Sequence, residues 1–93
     1  NVAFFFLVSP RFLISPAPVY VLSGSTAVLE CRPDSSPPAT ISWTRKGHSL
    51  LATSNKYIVP NVKSVDEGMY TCEATNRYGT AKGNVQLSIG SEL

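Results

Sequence analysis

Two cysteines, one histidine, six carboxylates and a scatter of serines are the side chains of this sequence from which catalysis or metal binding would have to be built. Cys31 and Cys72 stand 41 positions apart, outside any Cys-x-x-Cys pair and without a histidine cluster, so neither zinc nor dithiol redox chemistry has its usual ligands. One disulfide is the simplest use of the pair. On the chain-entropy account a loop of that length adds roughly 4 kcal/mol, and the bond implies an oxidising compartment. Two buried free thiols in a cytosolic domain is the alternative that the spacing leaves open. His48 is the only histidine and falls on an edge strand or turn, away from any partner base. Asp34, Asp66, Glu67 and Glu73 show no metal-ligand spacing, and the serines sit in loops with no nucleophile elbow. The expectation is a chain that is not an enzyme and uses no cofactor or metal.

The elements that would position such residues are strands. Ninety-three residues, 43% apolar and 10% aromatic, suffice for one small core and not for two. Charged residues make up 15% and the net charge is +2, far from the basic excess of a nucleic-acid binder. The longest apolar run, Phe4 to Val8, is short of the roughly 20 residues that cross a bilayer as a helix, so no direct membrane insertion is expected. Neither a basic start nor a small-residue cleavage site marks a secretory signal in the stretch given.

Apolar residues recur with period two in short segments bounded by Gly, Pro, Ser and Asn, which predicts an all-β chain. The inward sets are Ala27, Leu29 and Cys31; Ile41 and Trp43; Tyr70, Cys72 and Ala74; and Val85, Leu87 and Ile89. CRPDSSPPATIS carries three prolines and three serines and predicts an irregular loop. Gly47 in RKGH supplies a positive φ for a turn, His48 to Ala52 a short return strand, and Tyr57 to Asn61 another. Asn76 to Gly79 joins the last two strands as a hairpin, with Gly79 expected in the left-handed region. Seven or eight strands in two sheets is the outcome.

A cysteine, a tryptophan 12 residues later, and then DEGMYTCEATNRYG together resemble the immunoglobulin superfamily, over about residues 10 to 90. The segments WTRKGHSL and RFLISPAPVYVLSGS are similar to I-set modules of neural adhesion molecules, receptor ectodomains and muscle filament proteins. The resemblance implies a two-sheet Greek-key sandwich in which Cys31 and Cys72 bridge the sheets and Trp43 packs on the bridge. It also implies that Tyr70 forms the tyrosine corner, with Asp66 and Gly68 in the turn that leads into its strand. Only 29 positions separate Trp43 from Cys72, so strand D is expected to be short or missing, a drift toward the C2 topology. Strand E then becomes a sheet edge, where Pro60 is tolerated and Lys56 and Lys63 protect the flank.

Contacts with partners are expected at Tyr78, an aromatic at the tip of the last hairpin, unless it packs down on the turn. A basic patch of Arg45, Lys46, Arg77 and Lys82 on one sheet face would suit sulfated glycans or an acidic partner, although dispersed charges are ordinarily a solubility device. Asp66 is expected to pair with Lys56 or Arg45. None of Asn55, Asn61, Asn76 and Asn84 begins an N-x-S/T sequon, so no N-linked sugar is expected. NVAFFF at the start echoes NVQLSI at residues 84 to 89, which reads as the end of a preceding domain's last strand or an extension of the first strand. The expected division is therefore residues 1–9 as linker or preceding domain, 10–90 as the domain and 91–93 as a tail.

The function that follows is a non-catalytic recognition module of an extracellular adhesion protein or receptor. Its partners would be other proteins, like or unlike, and neighbouring immunoglobulin or fibronectin domains. The alternatives are a spacer in an intracellular muscle filament and an accessory domain of a receptor kinase or other large enzyme.

Overall fold

The computed structural model describes residues 7–91. Nine strands are present among them: β1 (Val8–Arg11), β2 (Val19–Leu22), β3 (Ala27–Glu30), β4 (Asp34–Ser36), β5 (Thr40–Arg45), β6 (His48–Leu50), β7 (Lys56–Val59), β8 (Gly68–Asn76) and β9 (Gly79–Gly90). A single 3-10 turn, Ser64–Asp66, leads into β8. Five strands form one sheet in the order β2-β9-β8-β5-β6, antiparallel throughout except that β2 runs parallel to β9. The opposing layer is built from two short ladders, β3-β7 and β1-β4, both antiparallel.

Alternation decides which side of each strand is dry. Ala27, Leu29 and Cys31 from one layer meet Ile41, Trp43, Tyr70, Cys72, Ala74, Val85 and Leu87 from the other, all buried. Ile89, the last residue of the inward set on β9, packs against this cluster while remaining partly exposed. One core residue escapes the strand pattern. Val62 lies in the loop after β7 and is fully buried because its backbone is clamped on both sides, its N–H donating to Ser25 and its carbonyl accepting from Gly24. No periodic signal marks a single loop valine.

The missing strand D is as expected. Between β6 and β7 the described chain holds no strand, and β7 pairs only with β3. The outer edge of β7 is short in practice: the Lys56 N–H is taken by the Ser54 hydroxyl, Pro60 has no N–H, and Asn61 turns away at φ 48°.

Two local readings of the sequence are corrected. The proline-rich loop is not wholly irregular, since Asp34–Ser36 forms β4 and pairs with β1, leaving the prolines on either side of it. Gly79 is not in the left-handed region; it is the first residue of β9, paired with Asn76, and a Cβ there would fall 2.9 Å from the Ser9 Cβ. Close approach, not backbone twist, is what calls for glycine at that point. The turn between β5 and β6 does use positive φ, at Lys46 (52°) and Gly47 (79°), the pairing of signs that matches the twist of a two-residue hairpin.

β1 begins at Val8, slightly ahead of the expected boundary at residue 10, and the Asn76 side chain donates to the Val8 carbonyl at 2.9 Å. The Phe4–Phe6 part of the apolar opening lies outside the described residues. Among the described residues no helix is long and apolar enough to cross a membrane.

Candidate protein interface

The expected core constellation is drawn together along one line. Cys31 and Cys72 are joined at 1.96 Å, tying the end of β3 to the middle of β8. Trp43 is the cross-strand partner of Cys72 and fully buried, with its indole N–H donating to the Ser54 carbonyl at 2.8 Å. Its ring is 5.9 Å from that of Tyr57, which is 5.9 Å from that of Tyr70, so three aromatics run in tilted contact down the core. The Tyr70 hydroxyl donates to the Asp66 carbonyl oxygen at 2.6 Å, and the Asp66 carboxylate accepts the Lys63 N–H at 2.8 Å, fixing the 3-10 turn at both ends. Burial raises the Tyr70 pKa; Arg45 nearby opposes the shift, while Asp66 and Tyr57 add to it.

Arg45 closes this column rather than forming a surface patch. Its guanidinium lies 5.0 Å from the centre of the Tyr70 ring and donates to the Val65 and Glu67 carbonyls at 2.7 Å each. Those two carbonyls flank Asp66, so the expected Asp66–Arg45 ion pair is replaced by a bond from Arg45 to the backbone around Asp66. Lys56 does not pair with Asp66 among the described residues either. The Arg45 Nε is buried without a hydrogen-bond partner and faces Gly68, whose φ of 146° brings the backbone within reach. A Cβ at Gly68 would sit in ordinary contact, 3.5 Å from an Arg45 nitrogen, so it is the positive φ that calls for glycine there.

The four basic residues of the expected patch are spread from one end of the β5–β8 ladder to the other rather than gathered. Arg45 is at one end of β5, and Arg77 is beyond the opposite end of the β5–β8 ladder, stacked at 5.5 Å over its neighbour Tyr78. Lys82 approaches Glu73 at 3.7 Å, and Lys46 lies in the β5–β6 turn. The face of the five-stranded sheet carries Thr40, Ser42, Thr44, Thr71 and Thr75 together with the exposed Tyr20, Leu22 and Met69; Thr71 bonds Asn84 at 2.9 Å and Thr75 bonds Thr80 at 3.0 Å. Tyr78 is 44% exposed and shares its ring with Arg77, which makes the hairpin tip a small polar-aromatic knob.

The other layer exposes apolar residues beside a groove. Val28 of β3 and Ile58 of β7 are cross-strand partners pointing outward, 44% and 57% exposed. Beside them Leu13 and Ile14, in the segment joining β1 to β2, are 70% and 85% exposed. Between that segment and β3 runs an open groove of about 570 Å³, walled by Leu13, Ile14, Pro16, Val19 and Val28. Its rim charges are already paired, Arg32 with Glu30 at 2.8 Å and Arg11 with Asp34 at 3.1 Å.

The groove has a cause in the sequence. The chain must cross from the β1–β4 ladder to β2 in the other layer, and it does so by tucking Phe12 and Pro16 inward over Gly83 and the Cys72 sulfur. That detour takes residues 12 to 18 off the flank of β3. Because the Cys31 N–H donates to Asn55, alternate residues Leu29 and Ala27 also face β7, and the backbone groups of Val28 and Glu30 turn to the groove instead. Sequence reading sorted Ala27, Leu29 and Cys31 inward and passed over what lay between. The signal was present: Ala27-Val28-Leu29 and Tyr57-Ile58-Val59 are apolar on both faces, unlike the alternating β9.

The family model for the immunoglobulin domain matches residues 9–76. Leucine-rich repeats and immunoglobulin-like domains protein 3 from mouse is 36% identical over 91 residues, covering 89% of this chain and 8% of its own length. Human Kin of IRRE-like protein 1 is 35% identical over 83 residues, covering 87% of this chain and 11% of its own length. The chain therefore spans about a tenth of the curated relatives it matches. Among solved structures, an immunoglobulin domain in the crystal structure of the titin M10–obscurin-like 1 complex superposes with a TM-score of 0.80 at 27% identity, over 91% of this chain and 97% of that one. With the bridged Cys31 and Cys72, the buried Trp43 and the Tyr70 corner in place, the chain belongs to the immunoglobulin domain family.

Proposed function

We propose that this chain is a non-catalytic protein-recognition module of a larger extracellular adhesion protein or receptor, and that its recognition surface is the apolar groove side of β3 and β7. One observation carries the reading: Leu13, Ile14, Val28 and Ile58 lie exposed together beside β3, a strand that pairs on one side only and borders an apolar groove. Large apolar groups clustered in the open mark a contact surface. The disulfide and the kinship with cell-surface relatives support a place outside the cell. Partners are proteins, including neighbouring immunoglobulin or fibronectin domains. With the rim charges paired, the groove offers little to a sulfated glycan.

The likeness to the titin–obscurin-like 1 complex favours a second reading, a spacer in an intracellular filament. Free-thiol counting on protein from its natural source separates the two, because a filament domain in a reducing compartment carries two thiols and an extracellular one carries none.

The recognition surface is tested by displaying the domain on beads and measuring adhesion to beads carrying ectodomains of cell-surface proteins, its own included. Leu13→Asp is expected to reduce adhesion tenfold or more, and Arg77→Ala to leave it within twofold. Adhesion that survives Leu13→Asp and is lost with Tyr78→Ala moves the surface to the hairpin tip and overturns the proposal.

A further inference from the structure

We propose that the groove beside β3 is a strand-acceptor site, and that it takes the apolar segment Val2–Leu7 of a second copy of this chain as an added β-strand. The inference rests on the recognition surface argued above and goes further by naming the occupant.

The acceptor is defined by geometry. β3 pairs on one side only, with β7, and the register places the Val28 and Glu30 backbone groups toward the groove. From Val28 to Arg32 this edge is roughly 17 Å long at the rise of a strand. It lies at the floor of an apolar trough with Leu13 and Ile14 on the far wall. An entering strand would satisfy the edge through its backbone and place alternate side chains against the walls, the arrangement of β-strand addition. The charged residues at the rim are neutralised in pairs, Arg32 with Glu30 and Arg11 with Asp34, so the site selects an uncharged strand.

This sequence supplies one. VAFFFL, residues 2 to 7, holds no charge, no proline and no glycine, and phenylalanine and valine are strong strand formers. The six residues before Leu7 reach at most about 20 Å when extended, a match to the edge. Within one copy the groove is at the far end of β1: Arg11 pairs with Asp34, a lining residue, while Val8, at the other end, pairs with Ser36, so the segment is offered to a second copy. The outer edge of β7 is a poorer acceptor, for the reasons given by Ser54, Pro60 and Asn61.

The test uses sedimentation velocity on three forms: residues 1–93, residues 7–93, and residues 1–93 with Ile14→Asp and Val28→Asp. The first is expected to self-associate and the other two to be monomeric. Mixing the truncated form, which keeps the groove, with the groove variant, which keeps the segment, is expected to restore a heterodimer. Circular dichroism of each form shows that both variants remain folded. A monomeric 1–93 chain at about 100 μM overturns the strand exchange, and so does self-association that survives the truncation. If the truncated form still adheres to ectodomain beads in that case, the recognition surface stands while its proposed occupant falls.

Discussion

The Tyr70 hydroxyl donates to the carbonyl oxygen of Asp66, four residues upstream, at 2.6 Å. Through that bond the strand holding the second cysteine is pinned to the 3-10 turn before it, and the turn is held again by the Asp66 carboxylate on Lys63. Tyr70→Phe is expected to lower stability by about 1–2 kcal/mol, since the Asp66 carbonyl loses a partly buried partner while the ring packing stays. The same group gives a pH dependence. Its folded pKa is raised above 10.0, chiefly by burial, so the neutral phenol is the form that folding favours. The stability it adds is complete below the unfolded value and is lost as pH rises through the folded one. Urea midpoints of the wild type and Tyr70→Phe measured from pH 8 to 11 should converge above pH 10; a constant gap would show that the phenol titrates normally.

Gly83 makes room for the chain to change sheets. A Cβ there would lie 2.9 Å from Pro16 Cγ, 3.1 Å from Phe12 Cε2 and 3.2 Å from the Cys72 sulfur, and two of those three neighbours are rigid. Gly83→Ala is expected to cost about 1–3 kcal/mol by overpacking and to loosen residues 12 to 18. Hydrogen exchange should quicken at Phe12 and Val19 before it does in β8. Unchanged stability would mean that Phe12 and Pro16 do not sit over the disulfide.

Arg45 and Lys46 are adjacent cations with opposite fates. Arg45→Ala removes charge-assisted bonds to two carbonyls and a ring contact, and is expected to cost about 2–3 kcal/mol. Lys46→Ala touches only an exposed turn and is expected to stay within about 0.5 kcal/mol. Thermal denaturation of the two variants decides whether the basic residues of this hairpin are structural or superficial; equal effects would contradict the placement of Arg45.

What could be read in the sequence and what could not divide along one physical line. Residues whose role depends on period and spacing were legible: Cys31, Trp43 and Cys72 alternate with polar neighbours, and Tyr70 stands two before the cysteine. The contacts of Arg45 were not legible, because a pairing with Asp66 can be guessed from charge but only the fold brings the Val65 and Glu67 carbonyls and the Tyr70 ring to it. The groove was missed for a related reason. Its walls come from residues 13 to 19 and 28 to 34, and its existence depends on Gly83, some 70 positions after Leu13 in the chain. Period-two analysis treats each strand alone and assigns Val28 to the wet side by default. A gap between two segments is a property of neither sequence.

The bridge between Cys31 and Cys72 also divides the chain by how it would respond to tension. A pull on residues 7 and 91 loads the short β1–β4 ladder and then β2 lying parallel to β9, where Val19–Leu22 pair with Leu87–Gly90, so that second ladder is loaded in shear and its four residue pairs resist together. Beyond that point the load path runs through sulfur rather than through backbone. The 41-position loop, with β4, β5, β6 and β7 inside it, is excluded from extension, which withholds roughly 140 Å of contour length from the unravelling chain. Only the segments outside the bridge can be drawn out, and reduction of one bond would turn a short tether into a long one.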